Sequence, residues 1–589
     1  MIDRIFALHR VDLLMAVQLA DQLAQVPGRG LARPIVTVID PVMHHYAITQ
    51  GLADVQLMVL PDLDLTLGGG SWSLAATRTV SAAVDEELAK LVPEARGAGW
   101  LGHWLRQLHA VVFGFRQVGR ALTPRVAGER VHLLLPDLPH RYGYHSFVPA
   151  LIVQVALRGA GQAPTLYKSP QPPWPATVLP DALHDDRAAG DVSTAAPVDL
   201  LCHLPTCVYD EALFANEVRA SGRAALLLPS QLYDVAAEAL PRTRMETPQR
   251  LLDRLPAGQR DALAAMLDRL GGVLAAHLAP LLGTPALVQS QVSAMVDACR
   301  DNALVFFMLE QRFATQPPRS LLISNHDTGQ HGGLLSFARR HGLQTMMVPH
   351  SKIFNHTLLS SGHDVTCLTH PVQGGEVHDL DGSRMPTGVL DFNDDLQIKA
   401  APPRPLATLG IVLNGLAATA ICIVDLRLYL QGLAALRQWC EEHGVRCRIR
   451  CRPNESAAST VAIELGIPEA TLLEDQQGSM IAFANGCDLV LGYDQPTSGA
   501  IEILRHGLPM MQVLCRRLAP EEWRIVDTGI VPQLAVDAVL ERLSTFHADP
   551  LALWQFRRAQ LADFVAAGRD ARPLRYWLGQ VAPADARPS

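Results

Sequence analysis

From Asp488 to Pro509 the chain reads DLVLGYDQPTSGAIEILRHGLP, a run of residue types that suits an anion cradle. Asp488 to Leu491 is predicted as a short buried strand, Gly492 to Gly499 as a turning and capping loop, and Ala500 to Arg505 as a helix opening on that loop. A strand that passes through a Gly/Ser/Thr loop into a helix start leaves backbone N–H groups unpaired, with the positive end of the helix dipole behind them. That is a place for a phosphate. Tyr493, Thr497, Ser498 and Gly499 belong to this expected cradle, Glu502 on the first helical turn is set to reach a ribose hydroxyl, and Gly507 and Pro509 end the helix.

A second polar stretch lies at Ser320–Gly333, SLLISNHDTGQHGG, followed by a predicted helix over 334–341 and a strand over 343–348 that ends at His350 and Ser351. Both strands carry polar residues at their carboxyl ends, the edge at which open α/β sheets bind ligands. His326 and His331 are spaced i, i+5 with glycine nearby, which offers no common ligand face for a metal. Asp394-Asp395 reads as a solvated turn, and no DxD-like carboxylate pair stands at a strand end.

The elements that must carry these residues follow from periodicity. Strands at Arg4–His9, Pro34–Asp40 and Val55–Leu60 alternate with helices at Leu13–Gln25 and around His44, His45 and Tyr46, which is the β-α-β pattern of a parallel, doubly wound sheet. Helical pattern fills 76–122, Val131–Asp137 is the next strand, and a helix is expected from near His145. Residues 161–198, rich in Pro, Ala and Asp, read as surface loop. Strands return at Asp199–His203 and Ala224–Pro229, a helical insertion spans 246–315, and Asp364–His370 and a hairpin-like return at Met385–Asp391 close this half. Ala400–Pro405 is a proline-rich linker and the expected domain boundary.

The second half restarts with a strand at Leu409–Asn414, and Asn414 and Gly415 stand where a first strand would meet a phosphate. A helix over 425–443, a strand at Arg446–Arg450, a loop at Cys451–Ser456 holding Arg452 and Pro453, a helix at 461–465, a strand at 470–473 and a helix at 479–485 lead to the opening stretch. The tail, 551–578, is helical.

Composition narrows the class. With 589 residues, 49% of them apolar and 18% charged, the chain has material for two or more cores. A net charge of −8 speaks against a nucleic-acid partner. The 10 cysteines form no CxxC pair, and Cys440, Cys447 and Cys451 lack zinc spacing, so they are expected as reduced core thiols of a cytoplasmic protein. MIDRIFALHR has no signal-peptide architecture, and no apolar run is read as reaching the roughly 18 residues of a membrane span. Any membrane contact is expected to be peripheral, at the inner surface.

Taken together the arrangement resembles the GT-B glycosyltransferases, and more narrowly bacterial surface-polysaccharide enzymes of the capsule-transferase and glycerophosphotransferase type. The resemblance is carried over residues 320–545 by Val348-Pro-His350-Ser351, Asp364-Val-Thr-Cys-Leu-Thr, Pro386-Thr-Gly-Val-Leu-Asp391, Arg450-Cys-Arg-Pro453, and Thr497-Ser-Gly-Ala-Ile-Glu502 through Pro509. Arg452-Pro453 stands where those enzymes have His-Pro, and Pro-His-Ser where they have Gln-His-Gly.

The resemblance implies an α/β protein in which two Rossmann-like domains face each other across a cleft, with the helical insertion in the N-terminal domain (1–399), a donor domain at 406–545 and a helical tail at 546–589 packing back. It implies transfer of a sugar from a nucleotide-sugar to a glycan or glycolipid acceptor, independent of metal and of any cofactor beyond the donor, with Kdo or another nonulosonic acid on CMP as one donor and UDP-sugars as another. Charge building on the leaving nucleotide calls for positive partners, for which Arg452 is placed. An inverting reaction needs a base, which the resemblance assigns to the N-terminal domain, where His326, Asp327, His350, Asp137 and His140 all qualify. Polyol-phosphate transfer, nucleotide-sugar 2-epimerisation and a non-catalytic role in glycan assembly fit the same frame.

Overall fold

The structure is a computed structural model that describes residues 2–8, 12–26, 33–39, 41–52, 54–58, 70–136, 149–169, 178–185, 197–203, 211–229, 240–283, 285–323, 330–348, 363–368, 387–389, 402–413, 426–451, 461–462, 465–477, 479–494, 499–515 and 530–579. Its described strands form three parallel sheets and one small antiparallel pair.

The first sheet holds β1 (Asp3–Phe6), β2 (Ile35–Val38), β3 (Gln56–Leu57), β4 (Arg130–Pro136) and β5 (Thr165–Ser169) in the order β3-β2-β1-β4-β5. β6 (Leu179–Asp185) pairs antiparallel with a later strand. The second sheet holds β7 (Leu200–His203) and β8 (Ala225–Leu227); β9 (Thr243–Glu246) is the partner of β6; and β10 (Ser320–Ile323), β11 (Gln344–Met347), β12 (Val365–Leu368) and β13 (Thr387–Val389) complete the order β13-β12-β11-β10-β7-β8. The third sheet is β15-β14-β16-β17-β18, from β14 (Thr408–Leu413), β15 (Arg446–Arg450), β16 (Leu489–Tyr493), β17 (Met510–Leu514) and β18 (Gln533–Ala535). β7, β10 and β16 are buried at every residue, as strands covered by helices on both faces must be.

One core joins the first two sheets. Phe6 and Leu133 of the first and Leu201 and Leu321 of the second belong to a single apolar cluster with leucines of the Ala257–Leu282 and Pro285–Phe313 helices. The expected helical insertion is therefore the layer between two sheets. Polar ties reinforce it: the Trp100 indole donates to Ser336 Oγ at 2.9 Å, and Gly333 N–H donates to Asn302 Oδ1 at 2.7 Å. A Cβ at Gly333 would sit 2.2 Å from the Asn302 carbonyl oxygen, so only glycine permits this approach.

The third sheet has its own two cores, one on each face. The Pro550–Ala567 helix covers one of them through Leu561 and Phe564, and its Gln560 donates to Met510 O at 2.7 Å and accepts from Met510 N at 2.8 Å. The next helix, Leu574–Gly579, leaves that lobe: Leu574 and Leu578 pack with Leu200 and Cys202 of the second sheet, and Arg575 pairs with Glu217 at 2.8 Å.

The α/β class, the Rossmann-like sheets, the helical insertion and the helical tail are as expected, and the N-terminal part contains two such sheets where one was anticipated. Three local expectations differ. Residues 470–473 belong to a helix, Glu469–Gln477, because Pro468 and Glu469 supply a helix start that outweighs the strand preference of Ala-Thr-Leu-Leu. The stretch 161–198 contains β5 and β6, and β13 runs parallel to β12, so 385–391 is no hairpin return. The Ala257–Leu282 helix is long and apolar enough, by length and composition, to cross a membrane. Its Leu263, Met266, Leu270, Leu274, Leu278 and Leu282 recur at helical spacing and are buried in the shared core, while only 28% of its most apolar window is buried.

Candidate functional site

An open parallel sheet binds ligands where its strand order reverses, in the crevice beyond the carboxyl ends of the two strands that flank the reversal. In the third sheet that point lies between β14 and β16, paired in register with Leu413 opposite Tyr493. In the second it lies between β7 and β10, with His203 opposite Ile323, and in the first between β1 and β4.

The residues expected to bind or react follow directly from these strands. Asn414 and Gly415 continue β14, Arg452 and Pro453 follow β15, and Thr497 and Ser498 follow β16. His326 and Asp327 follow β10, His350 follows β11, and Asp137 and His140 follow β4. All of these residues lie outside the described ones. The strands leading to them nonetheless divide the base candidates, since β4 belongs to the first sheet and β10 and β11 to the second.

Tyr493, Gly499 and Glu502 are described. Tyr493 is a correction: its side chain is fully buried, its hydroxyl donates to Tyr429 O at 2.6 Å, and its ring meets that of Tyr429 edge-on at 4.8 Å. Burial pushes the phenol far above its usual range. The side chain thus serves the core, and Gly432 is the glycine that lets it pass, since a Cβ there would lie 2.6 Å from the hydroxyl. Its neighbour Asp494 is the sole described non-glycine residue with positive φ, at 66°, and is buried, its N–H donating to Val513 O at 2.9 Å. Asp tolerates this left-handed conformation better than most residues, and such strained turns gather at functional sites.

Gly499 opens the Gly499–Arg505 helix and is buried. Glu502, on its first turn, has its carboxyl raised above the ordinary range because burial outweighs the positive charges of His506, Arg505 and Arg450. Arg450, the last residue of β15, is only 6% exposed. Sequence reasoning passed over it in favour of Arg452; in the alternating strand Arg446-Cys-Arg-Ile-Arg450 it is the arginine at the carboxyl end, and that position was the signal. His203 was also missed: it ends β7 at the second sheet's reversal, fully buried, with Nδ1–H donating to Leu228 O at 3.0 Å and burial lowering its pKa to about 4.

The third sheet's edge therefore presents a strained turn, a helix start, a carboxyl and a buried guanidinium around its reversal point. Such a set can bind a polar, anionic ligand. Among the described residues no group of three or more His, Cys, Asp or Glu is placed to hold a metal ion.

No family model matches the chain, and no curated protein matches it. Among solved structures it is similar to MurG of Acinetobacter baumannii, at 11% identity over 65% of this chain and 99% of that one, with a TM-score of 0.37. It is similar also to the Streptomyces sp. SF2575 glycosyltransferase SsfS6 complexed with thymidine diphosphate (14% identity, 65% and 99% coverage, TM-score 0.31). A third is the spinosyn rhamnosyltransferase SpnG complexed with spinosyn aglycone (13%, 65% and 99%, TM-score 0.34).

Proposed function

We propose that the chain is a GT-B-type glycosyltransferase that moves a sugar from a nucleotide donor to a bacterial surface glycan or glycolipid. The observation that carries this is the reversal point between β14 and β16, because the segments continuing those two strands hold Asn414, Gly415, Thr497 and Ser498. Residues 406–545 bind the donor, 1–399 the acceptor, and the 546–589 tail holds the two together.

When the bond from the anomeric carbon to the donor phosphate breaks, negative charge grows on the leaving nucleotide, and donors fixed at that position stabilise the transition state more than the ground state. Arg452 and the Thr497–Gly499 turn fill this role, with Arg450 as a second positive charge and Glu502 on the ribose. The acceptor hydroxyl gives its proton to a base on the second sheet, from the His326-Asp327 segment or His350. Asp137 and His140, which follow a strand of another sheet, stand second. Kdo or a related nonulosonic acid on CMP is the donor we put first, and the reaction runs without metal, in the cytoplasm or at the inner membrane surface.

A thermal-shift screen with CMP, CDP, UDP, GDP and ADP tests this, since a ligand of the folded state raises the melting temperature. Stabilisation by CMP above the others, with donor-dependent glycosylation of an acceptor extract, is expected. A UDP preference would remove the nonulosonate donor, and no stabilisation by any nucleotide would remove the assignment.

A further inference from the structure

β15 is an edge strand of the third sheet: β14 lies on one side of it and no described strand on the other. Arg446 pairs in register with Thr408, and its N–H donates to Ala407 O at 2.8 Å. In a parallel ladder the N–H groups alternate in direction, so those of Arg446, Arg448 and Arg450 turn toward β14 and those of Cys447 and Ile449 turn to the open edge. A cavity of about 250 Å³ lies along that edge, between β15, the Leu426–Glu442 helix and the start of the Glu469–Gln477 helix.

Arg437, Arg446 and Arg448 line this cavity, Thr471 adds a hydroxyl from the facing helix, and none of the described lining residues is acidic. Arg448 is held in place by donating to Phe483 O at 3.0 Å, with its guanidinium 4.8 Å from the centre of the Phe483 ring. Arg437 pairs at 2.8 Å with Glu441 of its own helix, a carboxylate 61% exposed, and so solvated a pair is worth little. Arg446 is exposed and has neither an ion pair nor a side-chain hydrogen bond with a described residue. The rest of the wall includes the apolar Ile449, Ile467 and Leu472. Three like charges around one small cavity repel one another, and a bound anion reverses the sign of that energy.

We propose that this cavity is a binding site for a small phosphomonoester, separate from the donor crevice. The Arg446 fork matches two phosphate oxygens, and the edge N–H groups of Cys447 and Ile449 and the Thr471 hydroxyl are further donors. The carbon body of the ester lies against Ile449, Ile467 and Leu472. Size sets the class: the volume falls below the roughly 300–1,000 Å³ of sites for drug-sized ligands, which leaves room for a phosphate on a few carbons and none for a nucleotide-sugar. The donor reversal between β14 and β16 lies on the far side of β14 from this edge, so the two ligands do not compete.

The full chain is titrated calorimetrically with glycerol 3-phosphate, inorganic phosphate and glycerol at fixed ionic strength, beside Arg446→Glu, Thr471→Glu and Arg569→Glu. Arg446 and Thr471 are exposed, so both changes leave the fold intact, which the melting temperature without ligand checks; Arg569, an exposed arginine of the tail, controls for net charge. Glycerol 3-phosphate should bind, inorganic phosphate more weakly and glycerol not at all. Arg446→Glu and Thr471→Glu should each lose about tenfold or more in affinity for glycerol 3-phosphate, and Arg569→Glu none. CMP should not displace the ester, so the result stands whether or not the donor assignment does. No binding of glycerol 3-phosphate, inorganic phosphate binding as tightly as the ester, full affinity in both cavity variants, equal weakening in Arg569→Glu, or displacement by CMP would overturn the proposal.

Discussion

The Tyr493 hydroxyl donates to the Tyr429 carbonyl across 2.6 Å and so ties the end of β16 to the first turn of the 426–442 helix. Tyr493 also pairs in register with Leu413, the last residue of β14. Leu413 and Tyr429, the described residues that flank Asn414 and Gly415 in the chain, are thus both partners of Tyr493. Tyr493→Phe should cost about 1 kcal/mol of stability, the worth of a buried hydrogen bond, and weaken nucleotide binding severalfold. Urea unfolding and nucleotide titration measure the two effects. Lost stability with unchanged affinity would show that the tie does not shape the site.

Glu502→Gln removes the carboxylate proposed to accept from ribose hydroxyls and should weaken nucleotide binding roughly tenfold, the loss of a hydrogen bond involving a charged group. Because burial raises the Glu502 carboxyl, native-chain affinity should fall as pH drops through that raised value, while the variant's affinity should stay flat there. Titration calorimetry across mildly acidic pH reads both, and parallel pH profiles would exclude Glu502 from the ligand.

How much of this was open to sequence reasoning depended on the range of the interaction involved. β14, β16 and β17 were legible because runs such as Leu-Val-Leu and Met-Met-Gln-Val-Leu bury both faces, a local property. That β7 pairs with β10, and β1 with β4, was not legible, since periodicity says that a residue lies in a parallel strand and is silent on which strand lies beside it. The division of the N-terminal part into two sheets was hidden for that reason. Tyr493 looked like a loop residue because Gly492 precedes it, yet Gly492 pairs in register with Val412 and Gln512 inside the sheet. The influence of Arg450 on Glu502 joins residues far apart in sequence, which a local pattern cannot show.

Gly333→Ala sets a methyl against the Asn302 backbone, which cannot swing aside as a side chain would. The variant should lose about 1–3 kcal/mol, a usual cost of overpacking, and with it the seating of the 331–341 helix that follows the His326-Asp327 segment. Denaturant midpoints and transfer rate should both fall. An unchanged midpoint would mean that the two helices part freely.

The Asp85 carboxyl, buried under the 97–100 turn, accepts from Gly99 N–H at 3.0 Å, yet burial prevails and raises its pKa to about 7. A carboxyl whose folded pKa lies above its unfolded value binds a proton more readily when folded. Its effect on stability is therefore most favourable below about pH 4 and declines as pH rises to about 7, by on the order of 4 kcal/mol. Asp85→Asn should remove that decline from a series of urea midpoints taken between pH 4 and 8. A variant with the same slope as the native chain would place the titration elsewhere.

Hydrogen–deuterium exchange with and without the best-stabilising nucleotide locates the donor most directly. Slower exchange is expected in the segments that follow β14 and β16, 414–425 and 494–502, with little change after β1 and β4. Protection confined to the first sheet, or spread evenly over all three, would contradict donor binding at the β14/β16 reversal.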